Sequence, residues 1–187
     1  MENLTEHTLS SELIFDGKVV HLYFDRITLP DGKEATREYI KHIGAVCVVP
    51  LTDEGEVVCV RQYRYPLGRT VLEIPAGKLD YKGEDTLEAA VRELREETGA
   101  ICRSIEFIGK LHPSPAILDE CISMYLARGL DWGETDPDDD EFIQVEKVPL
   151  DTLCGMICRG EITDAKTQAA VLKTKYIIEN GGGSNEA

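Results

Sequence analysis

Between residues 84 and 98 the apolar side chains recur at helical rather than strand spacing, and this one change of period organises the rest of the chain. Leu87, Ala90, Val91 and Leu94 follow the i, i+3, i+4, i+7 pattern of a helix with one apolar face. Gly99 stands where a helix commonly ends in a left-handed residue. On such a helix Glu93 and Glu97 lie one above the other, and Glu96 borders the same face. Each like-charged pair at this spacing costs about 0.2–0.5 kcal/mol. The negative end of the helix dipole adds to the penalty. Two readings follow. The carboxylates form a solvated acidic face balanced by Arg92 and Arg95, or they are oxygen ligands for a hard divalent cation.

The flanking segments bear on that choice. Upstream, Glu73-Ile74-Pro75-Ala76-Gly77-Lys78-Leu79 reads as a strand that stops at Pro75 and enters a loop. Gly77 lets the backbone turn sharply and bring the Ala76 carbonyl toward the helix as a further oxygen. Residues 11–42 read as a small β unit, with strands over 19–29 and 34–42 around the turn Pro30-Asp31-Gly32. Residues 45–51 and 56–63 read as a hairpin, and 71–74 as a short strand. After the helix, strands are expected over 101–111, 121–127 and 142–148, and helices over 151–159 and 164–179. An acidic loop spans 131–141, and a mobile Gly-rich tail follows residue 180.

Charge narrows the possible partners. The chain carries 35 acidic against 20 basic residues, a net charge of −15. Such a surface repels nucleic-acid backbones and anionic lipids, so neither is expected as a partner. A small phosphorylated substrate remains compatible, because carboxylates can recruit a divalent metal that then meets the phosphate. No apolar run approaches the roughly 18 residues of a membrane span, and the amino terminus lacks the features of a signal peptide. The expected location is the cytosol. Of the six cysteines, Cys47, Cys59, Cys102 and Cys121 sit singly in strand-like segments. Cys154 and Cys158 share a helix face without a second ligand pair, so neither zinc nor a disulfide framework is expected.

Gly77, Glu84, Arg92, Glu93, Leu94, Glu96, Glu97, Gly99 and Ala100 together resemble the signature of the Nudix hydrolase family. That pattern is a Gly, five residues, a Glu, seven residues, then Arg-Glu-apolar-x-Glu-Glu-x-Gly-apolar. Here six residues, 78–83, separate Gly77 from Glu84, and the extra one (Tyr81 or Lys82) is expected to be absorbed in the loop. The resemblance implies a mixed α/β (α+β) fold: a Nudix-type α/β/α sandwich with a mixed sheet, preceded by a small antiparallel β unit. It implies domains at 1–42 and 43–180 and a flexible tail at 181–187. It also implies two or three Mg²⁺ ions, with Mn²⁺ as a substitute, held by Glu93, Glu96, Glu97 and the Ala76 carbonyl.

Outside that signature the likeness is to the bacterial ADP-ribose pyrophosphatase branch. Arg37-Glu38-Tyr39, Arg61-Gln62-Tyr63-Arg64, the segment from Ser114 to Glu120, and Glu161 to Thr167 carry it. Ala116 replaces that branch's usual Gly. The resemblance makes Arg37, Arg64, Ser114 and Glu120 substrate-binding residues. Guanidinium forks suit the oxygens of a diphosphate. The alternative for each Arg is a surface ion-pair partner, and for Arg64 the residues alone leave the two readings even. The loop 131–141 holds seven carboxylates and no Lys or Arg. On the resemblance Glu141 is a metal ligand or the catalytic base, Asp139 the other base candidate, and Glu96 a supplementary one. His42 and His112 read as structural or bordering the cleft. Trp132 reads as a base-stacking residue or as an exposed loop anchor.

The implied activity is Mg²⁺-dependent cleavage of a nucleoside diphosphate sugar, with ADP-ribose giving AMP and ribose 5-phosphate. The implied assembly is a homodimer. GDP-mannose is a rival substrate, since nothing in the sequence reads the base. A sensor that binds ADP-ribose without cleaving it is a rival of another class, disfavoured by the complete Glu93, Glu96 and Glu97 set. An RNA-processing role is disfavoured by the acidic charge.

Overall fold

The computed structural model describes residues 3–136 and 142–181. Backbone contacts divide the chain into two units: one takes the chain through Ile43 with His112–Glu120, the other Gly44–Leu111 and the chain from Cys121 onward.

The first unit is a three-stranded antiparallel sheet of β1 (His7–Asp16), β2 (His21–Thr28) and β3 (Glu34–Lys41), in that order. The β2–β3 turn is the expected one: Gly32 has φ +84°, and its N–H donates to the Leu29 carbonyl at 2.9 Å. β1 is a correction, because it starts at His7, ahead of the expected unit. All ten of its residues are exposed, so no apolar alternation announces it. Tyr23 and Tyr39 stack across β2 and β3 at 5.7 Å, with Lys41 Nζ 3.9 Å from the Tyr23 ring centre. The segment 112–120 attaches where Ile40 N–H donates to the Ile117 carbonyl at 2.9 Å.

The second unit is a seven-stranded mixed sheet between helices. Its strands are β4 (Ala45–Leu51), β5 (Glu56–Arg64), β6 (Arg69–Glu73), β7 (Ala76–Lys78), β8 (Ala100–Leu111), β9 (Ile122–Trp132) and β10 (Gln144–Pro149). The path β10-β5-β4-β9-β8 carries β6 on β5 and β7 on β4. The helices are α1 (Thr86–Thr98), α2 (Leu150–Cys158) and α3 (Ala165–Glu179). Strand alternation sorts the core into two layers. Val46, Val48, Tyr125 and Ala127 pack with Ala89, Ala90 and Leu94 of α1. Cys47, Val49, Met124 and Leu126 pack with Leu153 of α2 and Val171 of α3.

The expected hairpin of residues 45–63 is corrected. β4 and β5 pair only at Leu51 and Val57. Along its whole length β4 runs parallel to β9, from Ala45 beside Ile122 to Leu51 beside Arg128, and residues 45–47 pair antiparallel with β7. Residues 131 and 132 also depart from expectation: they extend β9 rather than open the acidic loop. Asp131 pairs there with Arg103 at 3.0 Å, and Lys147 Nζ lies 4.3 Å from the Trp132 ring. No helix among the described residues is long and apolar enough to cross a membrane.

Candidate active site

α1 carries the candidate carboxylates, and the chain builds it with a well-made start. Asp85 caps it, its carboxylate accepting from Leu87 N–H at 2.7 Å and from Glu88 N–H at 3.3 Å. Before the cap, Glu84 N–H donates to the Tyr81 carbonyl at 3.2 Å, and Gly83 takes a positive φ of 91°. The additional loop residue is therefore taken up in a turn ahead of the helix. At the other end Gly99 has φ +70° and donates to the Arg95 carbonyl. A Cβ there would lie 2.6 Å from the Gly133 carbonyl oxygen, so this glycine is needed for space as well as for its backbone angle.

The helix is rotated from the orientation its apolar pattern suggests. Ala89, Ala90, Leu94 and Glu97 are buried, whereas Leu87 and Val91 are 43% and 44% exposed. A carboxylate thus occupies the inner face in place of Val91. Glu97 is 4% exposed, and its Oε2 accepts from Ala76 N–H at 3.1 Å. The loop expected after Pro75 is corrected here, because Ala76–Lys78 forms β7 along β4. Glu93 is turned toward that strand: a Cβ built on Gly77 would lie 2.0 Å from its carboxyl carbon. Gly77 has no positive φ, so what it supplies is room for a carboxylate against bare backbone.

Arg92 balances the stripe. Its Nη1 lies 2.8 Å from Glu93 Oε1 and 3.2 Å from Glu96 Oε2, and its Nη2 lies 3.4 Å from Asp80 and 3.5 Å from Glu84. Burial works against its charge, but Glu93, Asp80 and Glu96 outweigh burial and hold the guanidinium firmly protonated. Its buried Nε has no hydrogen-bond partner among the described residues. Among the described residues no three His, Cys, Asp or Glu side chains stand in a ready-made ligand arrangement. The donor chemistry nonetheless fits a hard cation: oxygen donors only, one carboxylate buried and another seated against backbone.

The segment after β9 lies against the end of α1. Gly133 N–H donates to the Gly99 carbonyl at 2.7 Å, and Asp136 N–H to the Glu96 carbonyl at 3.0 Å. The chain thereby enters the acidic loop beside Glu96. Asp139 and Glu141, the candidate bases, lie outside the described residues.

Arg64, at the end of β5, binds Glu73 through a fork, Nε to Oε1 at 2.8 Å and Nη2 to Oε2 at 2.7 Å. Lys166 Nζ also reaches Glu73 Oε2. Sequence reasoning assigned Glu73 and Lys166 no role. One signal was available for Lys166, a cation in the first turn of a helix, where the dipole disfavours it.

The other candidates belong to the first unit. Arg37 pairs with Glu6 and donates from Nη1 to its neighbour's carbonyl, Thr36 O, at 2.9 Å. The Ser114 carbonyl closes a turn, accepting from Ile117 N–H at 3.1 Å and Leu118 N–H at 3.0 Å. Glu120 Oε1 lies 3.7 Å from His42 Nδ1, and the Glu120 carbonyl 2.9 Å from His112 Nδ1. Both histidines are thus held in local structure. Arg37 lines a cavity of 520 Å³ with Asp25, Tyr39 and the segment 115–119.

Comparison with known proteins places this geometry. Residues 41–171 match the family model for the NUDIX domain, and residues 6–40 match the nucleoside diphosphate sugar hydrolase N-terminal domain. The chain is 43% identical over 173 residues to ADP-ribose pyrophosphatase of Bacillus subtilis, covering 91% of this chain and 93% of that protein. It is 44% identical over 168 residues to the methanol dehydrogenase activator of Bacillus methanolicus, covering 89% and 90%. Among solved structures, an ADP compounds hydrolase superposes with a TM-score of 0.84 over 97% of this chain and 99% of that one; at 21% identity this speaks for the fold. With its carboxylate-bearing helix set against Ala76 and Gly77 of β7, the chain belongs to the Nudix family and is a Nudix hydrolase.

Proposed function

We propose that this protein hydrolyses the diphosphate bond of ADP-ribose, giving AMP and ribose 5-phosphate, with Mg²⁺ as its metal. The observation that carries the reading is the inward stripe of α1, Glu97 buried on Ala76 N–H and Glu93 lodged against Gly77. The substrate is supported by 43% identity, over nearly the whole chain, to a protein named ADP-ribose pyrophosphatase.

Nudix hydrolases generally use divalent metal ions. Glu93, Glu97 and the Ala76 carbonyl would hold them here, with Glu96 and Glu141 supplementary. When bound, such ions neutralise phosphate oxygens and lower the pKa of water. The protein's own groups do the rest. Arg64, anchored by Glu73, binds a diphosphate oxygen with donors its anchor leaves over. Glu141 or Asp139 takes the proton of the attacking water as its oxygen bonds to phosphorus and the bridging P–O bond breaks. Arg37, Ser114 and Glu120 contribute further substrate contacts. A second copy of the chain as partner, and the cytosol as location, complete the proposal.

The test is a substrate panel with Mg²⁺, scoring nucleoside monophosphate release from ADP-ribose, GDP-mannose and other nucleotide sugars. The reading predicts that ADP-ribose leads by a wide margin. GDP-mannose in the lead would replace the substrate, and binding of ADP-ribose without turnover would favour a sensor.

A further inference from the structure

Where β5, β6 and the start of α3 meet, one buried carboxylate is shared by two cations that differ in exposure. The Glu73 side chain is 2% exposed, Lys166 11% and Arg64 39%. Arg64 spends Nε and Nη2 on Glu73, and its Nη1 donates to no described residue. A guanidinium held along one edge has its plane fixed and offers the remaining N–H groups in a set direction. Arg64 lines a cavity of 340 Å³ with Glu73, Asp164 and Lys166, walled by Pro66, Leu67 and Val71.

Lys166 is bound differently. Its ammonium is used by two carboxylates, Glu73 and, at 3.1 Å, Asp164. Asp164 is itself fixed as the cap of α3, accepting from Thr167 N–H at 2.9 Å and Thr167 Oγ1 at 2.6 Å. The Thr167 hydroxyl in turn accepts from Ile74 N–H at 3.0 Å, the residue after Glu73. The helix start and the strand end are therefore tied at adjacent residues. Arg64 and Lys166 formally balance Glu73 and Asp164, so the group is no general anion trap. Its effect is orientation.

We infer that Lys166 is a positioning residue that acts through Glu73: it pins the carboxylate so that Arg64 presents its unused N–H edge to a diphosphate oxygen. This rests on the reading that Arg64 binds substrate. Without Lys166, Glu73 Oε2 loses one of its two donors and the carboxylate is freer to swing, carrying the guanidinium with it. A mobile Arg64 binds diphosphate less well, whereas Glu97 keeps its seat on Ala76 N–H and Glu93 its place against Gly77.

The test is steady-state kinetics on ADP-ribose with saturating Mg²⁺ for R64A, K166M, K166R and the R64A/K166M double variant. R64A is expected to raise KM by about tenfold or more, and K166M by about three- to tenfold with a smaller change in kcat. K166R should recover most of the loss. In the R64A background, K166M should add nothing, because a residue acting through Arg64 has no effect once Arg64 is gone. Wild-type KM in K166M, or effects that multiply in the double variant, would overturn the inference while leaving Arg64 as a contact. Wild-type KM in R64A would overturn the contact itself, and the inference with it. Melting temperatures are read in parallel; where K166M fails to fold, K166A, which also removes the donor to Glu73 but leaves room for water, carries the same comparison.

Discussion

The Glu93 carboxyl carbon lies 2.0 Å from where a β-carbon on Gly77 would stand, so a strand residue and a helix residue 16 positions apart cannot both carry full side chains there. Gly77 has an ordinary φ, and alanine would meet no backbone penalty. Its whole cost is the collision. G77A is therefore expected to displace Glu93, lowering turnover by about 100-fold and stability by about 1–3 kcal/mol. Kinetics and denaturant titration check both figures. Near wild-type turnover in G77A would show that Glu93 has no need of this seat.

Glu97 offers a cleaner separation of chemistry from folding. It is 4% exposed with a backbone N–H on one oxygen, and glutamine preserves its shape and that hydrogen bond through its carbonyl. E97Q should stay folded and lose turnover by about 100-fold or more, since a neutral amide is a poor ligand for a hard cation. Circular dichroism and AMP release at several Mg²⁺ concentrations read the two effects independently.

Acid stability should report Glu73. Burial pushes its carboxyl upward, but the Arg64 hydrogen bonds and the charges of Lys166 and Arg64 outweigh burial and hold it below the ordinary 4.5. A lowered folded-state value stabilises the protein fully above the unfolded value, and that contribution is lost as pH falls through the lowered value. Wild type should therefore exceed E73Q in stability by about 2–3 kcal/mol near pH 7, with the gap narrowing progressively below about pH 4.5. Urea titrations of both proteins across that range measure it. A gap independent of pH would assign the difference to packing.

Thiol labelling separates the cysteines. Burial pushes the Cys47 and Cys59 thiols up to about 12, whereas Cys158 is exposed. At pH 8 an alkylating reagent should modify Cys158 in the folded protein and reach Cys47 and Cys59 only after denaturation. Peptide mass mapping at intervals follows this directly.

The existence of α1, its end at Gly99 and the family signature were all legible in the sequence, because periodicity and spacing are local properties. Its rotation was not. Apolar pattern placed Val91 inside, yet the helix buries Glu97 there, since Ala76 and Gly77 of β7 meet it on that side. Pairing was hidden for a related reason. β4 and β5 look like a hairpin, but the neighbour of β4 along most of its length is β9, which begins at Ile122. Local pattern carries no signal for a parallel partner so far along the chain. β1 escaped because all its residues are exposed, and the Glu73–Lys166 pair because its members are 93 residues apart.

The account rests on α1 carboxylates holding divalent metal against a bound diphosphate, and the most direct measurement is a crystal structure with Mg²⁺ and a methylene-bridged, uncleavable ADP-ribose analogue. The account predicts Mg²⁺ at about 2.1 Å from Glu93, Glu97 and the Ala76 carbonyl oxygen, with the analogue's phosphonate oxygens completing the shell. Metal bound elsewhere, with Glu93 still on Arg92 and the analogue away from α1, would contradict it.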